Sequence, residues 1–220
     1  MAARTLRGNY ARWLALGALA FLSHWAWAGP EEDYQIGLKA YRGGDLVGSM
    51  SPLRRAADAG HAGAQALLGD ILDKAESDEE AVAYFRKSAE QGNADGQYGL
   101  GAMYAAGEGV KKDPAEARKW ITRAADQGHK LAVNTLAQAY ITGGLGLEES
   151  ALRGADALTR LRQAAGNDYL PAIDVLAKAY RAGDYGLAPD AKEAEQLTAR
   201  ANKLRGVKQT TRGRSGAQAR

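Results

Sequence analysis

The chain has 220 residues, 45% of them hydrophobic, 25% charged and 27 of them glycine, which suits one elongated domain. It has no cysteine, and this excludes disulfides, thiolate metal sites and a cysteine nucleophile. The net charge of +3 comes from the two ends: residues 29–202 hold 20 Lys+Arg against 26 Asp+Glu, so the body is mildly acidic and a nucleic-acid-binding body is argued against.

The N-terminus is ordered like an export signal. Arg4, Arg7 and Arg12 precede an apolar run from Trp13 to Leu22, and Ala26-Trp27-Ala28 fits a small-x-small cleavage site before Gly29. This predicts a signal peptide over residues 1–28, cleaved after Ala28, and a periplasmic or secreted product. A bilayer span needs about 20 apolar residues, and His24 interrupts the run early.

From Asp33 onward the chain reads as paired helices. The first pair carries Ile36, Leu38, Ala40 and Tyr41, then Gly43-Gly44-Asp45, then a second helix from Asp45 to Ala59 that Pro52 is expected to kink or split. The second carries Ala64, Leu68, Gly69 and Leu72, followed by a Ser77/Glu80 capping box and the apolar positions Ala81, Tyr84, Phe85, Ser88 and Ala89. The third pair is the clearest. Gly96, Leu100, Gly101 and Tyr104 share one helix face, and Gly107 and Gly109 stop that helix. Asp113 then caps the next helix, Pro114 takes its first position, Glu116 completes a capping box, and Ala117, Trp120, Ile121, Ala124 and Ala125 recur at helical spacing.

The fourth pair shows Ala132, Leu136, Ala137 and Tyr140, then Ala157, Leu161, Ala164 and Ala165. In the fifth come Ala172, Leu176, Ala177 and Tyr180, then Asp190, Glu193, Ala194 and Leu197. The leading leucines Leu68, Leu100, Leu136 and Leu176 are 32, 36 and 40 residues apart, with the extra residues falling in loops. One hairpin cannot bury its apolar face alone, whereas stacked copies can. The prediction is an all-α, right-handed α/α solenoid of about five hairpins over residues 29–204. Residues 205–220, rich in Gly, Thr, Ser, Gln and Arg, are expected to form a disordered basic tail.

The unit Ala/Gly-x3-Leu-Gly/Ala-x2-Tyr-x2-Gly-x-Gly-Val-x2-Asp-x3-Ala-x2-Trp-x3-Ala-Ala-x2-Gly resembles the Sel1-like repeat, a relative of the tetratricopeptide repeat with a longer loop inside the hairpin. Residues 93–128 match almost throughout. Residues 61–92 lack the Gly-x-Gly-Val loop, and residues 129–204 match better in their first helices than in their second, with Arg153 where a capping Asp or Ser is expected. The resemblance implies a scaffold or adaptor that binds protein, and for exported bacterial members a place in envelope assemblies, polysaccharide export or host contact.

Chemistry is sparse. His61 and His129 occupy equivalent turns two units apart and are expected to be solvent-exposed turn residues; Glu79-Glu80 and Glu148-Glu149 fall at helix starts, where carboxylates favour the helix dipole. Trp120, Tyr84, Tyr104, Tyr140 and Tyr180 are expected in the core. No catalytic residue, metal site or cofactor is predicted. The remaining candidate is surface. In tetratricopeptide-like solenoids the first helices line the concave groove, and the positions opposite their apolar stripe include Asp70, Tyr98, Asn134, Gln138, Asp174 and Lys178. These six are the expected partner-binding stripe, with Tyr98 the most suited to anchor a guest. Partner identity is open. The alternative readings are an enzyme, or an enzyme's subunit, acting on envelope polysaccharide, and a membrane-surface tether through weak contact of the basic tail.

Overall fold

In the computed structural model the described residues, 29–206, form ten α-helices in five hairpins and contain no strand. The helices are α1 Pro30–Arg42, α2 Leu46–Asp58, α3 Ala62–Lys74, α4 Asp78–Glu90, α5 Ala94–Ala106, α6 Pro114–Asp126, α7 Lys130–Thr142, α8 Ala155–Gly166, α9 Leu170–Ala182 and α10 Ala191–Leu204; short 3-10 turns at Glu149–Ala151 and Asp184–Gly186 fill the last two hairpin loops. The predicted signal segment and residues 207–220 of the basic tail lie outside the described residues.

Each hairpin hands over to the next through the same backbone device. A residue in the left-handed region (Gly60, Gly92, Gly128, and Asp168 with φ 61°) ends the second helix. The following N–H (His61, Asn93, His129, Tyr169) donates to the carbonyl five residues back. That following residue then begins the next first helix. The turn therefore fixes both the end of one hairpin and the entry angle of the next.

The apolar stripes pack as their spacing predicts. Leu68, Leu100, Leu136 and Leu176 are 0, 0, 2 and 3% exposed. The small residues beside them permit close helix approach: a Cβ on Gly96 would lie 2.4 Å from Ser88 Cβ, and one on Gly101 would lie 2.6 Å from Ile121 Cγ1. First helices α3 and α5, and α7 and α9, touch across hairpins and form an inner layer, while the second helices lie outside them. Two apolar cores result. They meet at α6, where Trp120 belongs to the N-terminal core and its neighbour Ile121 to the C-terminal one.

Two local expectations are corrected. Pro52 does not split α2, which runs from Leu46 to Asp58 with the proline ring buried inside it. The carbonyl that loses its partner belongs to Gly48, which is exposed and can turn to water. Ser77 makes no side-chain cap. The two-residue loop before it forces Glu76 to φ 58°, and Glu80 reaches Arg54 (2.9 Å) on α2 rather than returning to Ser77. Asp113 and Asp190 do cap as expected, each accepting two backbone N–H bonds. Glu116 does not close its box; it accepts from Lys119 (2.8 Å) and from Trp120 Nε1 (3.1 Å).

The first hairpin is held by a charge pair whose carboxylate is buried and whose guanidinium is half exposed. Asp33, 6% exposed on α1, accepts both arms of the Arg55 guanidinium from α2. That hydrogen bonding holds the Asp33 carboxyl below its usual range.

Candidate binding groove

The residue that opens each hairpin meets the previous hairpin's first helix, and its chemistry changes from junction to junction. His61 stacks on Tyr34 with ring centroids 4.3 Å apart, and His129 stacks on Tyr98 at 4.8 Å. The two histidines act alike. Nδ1 accepts the N–H of Ala64 (3.0 Å) or Ala132 (3.1 Å) and caps the new helix. Nε2 faces Glu31 (2.8 Å) or Asp95 (3.2 Å), one turn before the stacked tyrosine. At the fourth junction Tyr169 donates its hydroxyl to Gln138 (2.7 Å), and after α10 Arg205 pairs with Asp174.

The second-to-third junction is different. Asn93 caps α5 by accepting the N–H of Gly96 (3.0 Å), and the position matching Tyr34 and Tyr98 is Ala66. With no aromatic pair to fill it, the inner layer opens here into a cavity of about 380 Å³ between the two tyrosine–histidine stacks. Gly63, Ala66, Gly99 and Ala102 make its small-residue floor, Tyr34, Tyr98 and His129 its walls, and Leu38, Leu131 and Arg42 part of its rim. Phe85 also lines it, although it belongs to outer helix α4. Its ring passes between α3 and α5 because both present glycine: a Cβ on Gly69 would lie 2.8 Å, and one on Gly99 2.3 Å, from the phenyl.

The cavity is acidic. Asp70, Asp73 and Asp95 line it, against one lining guanidinium, Arg42. Asp70 is held by Lys74 (2.6 Å) and by the Tyr41 hydroxyl (3.4 Å), which ties the first hairpin to the second. The Asp73 carboxylate makes no hydrogen bond or ion pair among the described residues. Burial, then the negative charges of Asp78 and Asp70, push its carboxyl above the usual range.

Of the six predicted stripe residues, Asp70 and Tyr98 line this cavity together. The other four lie further along the stack, on α7 and α9, and do not line it. Gln138 and Asp174 are engaged by Tyr169 and Arg205, Lys178 is exposed, and Asn134 is half-buried with an Oδ1 that has no partner. Gln138 is therefore spent on joining two hairpins, and Asp174 on tying the end of α10 back to α9. The histidines also depart from expectation: their side chains are 19 and 14% exposed, because the tyrosine rings cover them. Of the residues expected in the core, Tyr84 and Trp120 are buried (8% each), while Tyr104, Tyr140 and Tyr180 are half-buried.

Tyr34 was within reach of the periodicity argument, since it stands two residues before Ile36 as Tyr98 stands before Leu100. Asp73, Asp95 and Phe85 were not, because each enters the cavity from a different helix or register. Among the described residues no His/Asp/Glu group could hold a metal ion, and no helix is long and apolar enough to cross a membrane.

Stacked antiparallel hairpins with an open inner face define an α/α solenoid of the tetratricopeptide-like class. The chain carries three Sel1 repeats: the Sel1 repeat model matches residues 62–93, 94–129 and 171–204. It is similar in fold to a Sel1 repeat protein from Oxalobacter formigenes (24% identity, TM-score 0.61, covering 78% of this chain and 70% of that one). A second similar structure is c5321, a protective antigen present in uropathogenic Escherichia coli strains that displays an SLR fold (22% identity, TM-score 0.52, covering 90% of this chain and 49% of that one). Over 90 residues, 40% of its length, the chain is 34% identical to the DAP3-binding cell death enhancer 1 of Rattus norvegicus, of which it spans 18%. Sel1 repeats mediate protein–protein interaction and are typically non-enzymatic scaffolds.

Proposed function

We propose that this chain is an exported adaptor that binds an extended segment of another protein along the inner layer of its hairpins, with the cavity between Tyr34 and Tyr98 as the anchoring point. The observation that carries this reading is the interrupted junction: the inner helices bring Tyr34, Asp70 and Tyr98 around one concave, small-floored cavity of about 380 Å³. Interface anchors are commonly aromatic side chains in or beside such pockets, with most of the surrounding contacts contributing little. The arginines and apolar run of residues 4–22 support the export part of this reading, with the periplasm or the cell exterior as the adaptor's place of work.

The test begins with affinity capture from the cell envelope and identification of the protein retained, followed by titration of that purified partner. Tyr98→Ala should weaken binding at least about tenfold, as truncation of a central aromatic anchor does. Lys87→Ala, on the exposed side of α4, should leave it unchanged. Full affinity in Tyr98→Ala would contradict the reading.

A further inference from the structure

We propose that the cavity between the two tyrosine–histidine stacks receives the arginine side chain of an extended partner segment. This rests on the adaptor reading and adds the residue type recognised.

Three features point to arginine. The first is charge. Asp70 and Asp73 enter from α3 and Asp95 from α5, three carboxylates against two cations: Arg42 at the rim and Lys74, which pairs with Oδ2 of Asp70 and leaves Oδ1 free. His129 is spent on its own contacts, its Nδ1 accepting the Ala132 N–H and its Nε2 facing Asp95. The local field therefore favours a cation and disfavours an acidic or phosphorylated guest. The second is the paired geometry on α3. Asp70 and Asp73 are three residues apart and share one helix face, the arrangement a planar guanidinium can bridge with its fork of donors. The Asp73 carboxylate has no partner of its own among the described residues, and its half-buried place beside Asp70 in the cavity lining makes an incoming cation the natural complement. The third is the lining. Phe85 and Met103 supply an apolar base for the three-carbon stem, and the Tyr34 and Tyr98 rings offer faces on which a guanidinium stacks better than a compact, strongly hydrated ammonium.

A random twelve-residue peptide library displayed on phage, panned against the full chain, tests this directly. Selected peptides should be enriched in arginine at one position. A synthetic copy with citrulline, which keeps the shape and removes the charge, should bind about tenfold more weakly, the loss expected for one charge-assisted pair. Asp73→Asn should show a similar loss with an unchanged circular-dichroism melt. If that variant fails to fold, the citrulline peptide still decides the matter, because it leaves the protein untouched. Peptides that lose binding in Tyr98→Ala yet carry leucine, phenylalanine or acidic residues in place of arginine, or that tolerate citrulline, would overturn the arginine assignment and leave the groove reading standing. Peptides indifferent to both Tyr98→Ala and Asp73→Asn would overturn both.

Discussion

At His129 one imidazole closes three contacts. It caps α7, faces Asp95 and covers Tyr98, a residue of the candidate cavity. Asn93 does only the first of these at its own junction. The pair of natural caps suggests a clean comparison. His129→Ala should lose the cap, about 1 kcal/mol, and the ring stack, about 0.5–1.5 kcal/mol. His129→Asn should recover the first loss and not the second. Urea denaturation of the two variants checks this; equal stability would contradict the separation of roles. The spacing of the two histidines was legible in the sequence. Their burial was not, because it depends on tyrosines roughly thirty residues earlier that no local pattern connects to them.

Among the elements, the hairpin loop of the third unit carries more than a helix stop. Gly109 has φ 59°, and a Cβ there would lie 2.4 Å from the backbone carbon and oxygen of Asp78, the first residue of α4. The loop is thus wedged against the preceding hairpin's outer helix. A flexible side chain could move aside, but a helical backbone cannot. Gly109→Ala should combine left-handed strain of about 1–2 kcal/mol with an overpacking cost of about 1–3 kcal/mol. Gly60→Ala, with φ 91° but open space around its Cβ, should show only the strain. Thermal melts of the two variants give the difference, and equal melts would remove the wedge from the account. The Gly-x-Gly pattern predicted that a helix ends here. It could not predict what the loop touches, since loop contacts follow from stacking geometry rather than from periodicity.

For the molecule as a whole, the fold was legible because stripe, turn and period all describe one hairpin repeated, even though the caps expected at Ser77 and Glu116 do not form. The candidate site was only half legible. Asp70 and Tyr98 followed from the face opposite the apolar stripe, whereas Gln138 serves a junction between hairpins, Asp174 ties α9 to the end of α10, and Asn134 and Lys178 lie outside the cavity. The cavity exists because one junction, Ala66 with Asn93, lacks the bulky pair its neighbours have. Such an omission has no positive signature in a pattern search. It becomes visible only when the hairpins are stacked and the junctions compared.

The absence of cysteine from the chain permits a direct measurement of where a partner sits. A single thiol at Ala102→Cys lies on the cavity floor of the inner layer, and one at Ala83→Cys lies on the exposed side of outer helix α4. Maleimide labelling of each variant, with and without saturating purified partner, compares the two faces in one experiment. The account predicts that bound partner slows labelling at Ala102→Cys and leaves Ala83→Cys unchanged. Protection at Ala83→Cys with none at Ala102→Cys would place the partner on the outer layer and contradict it.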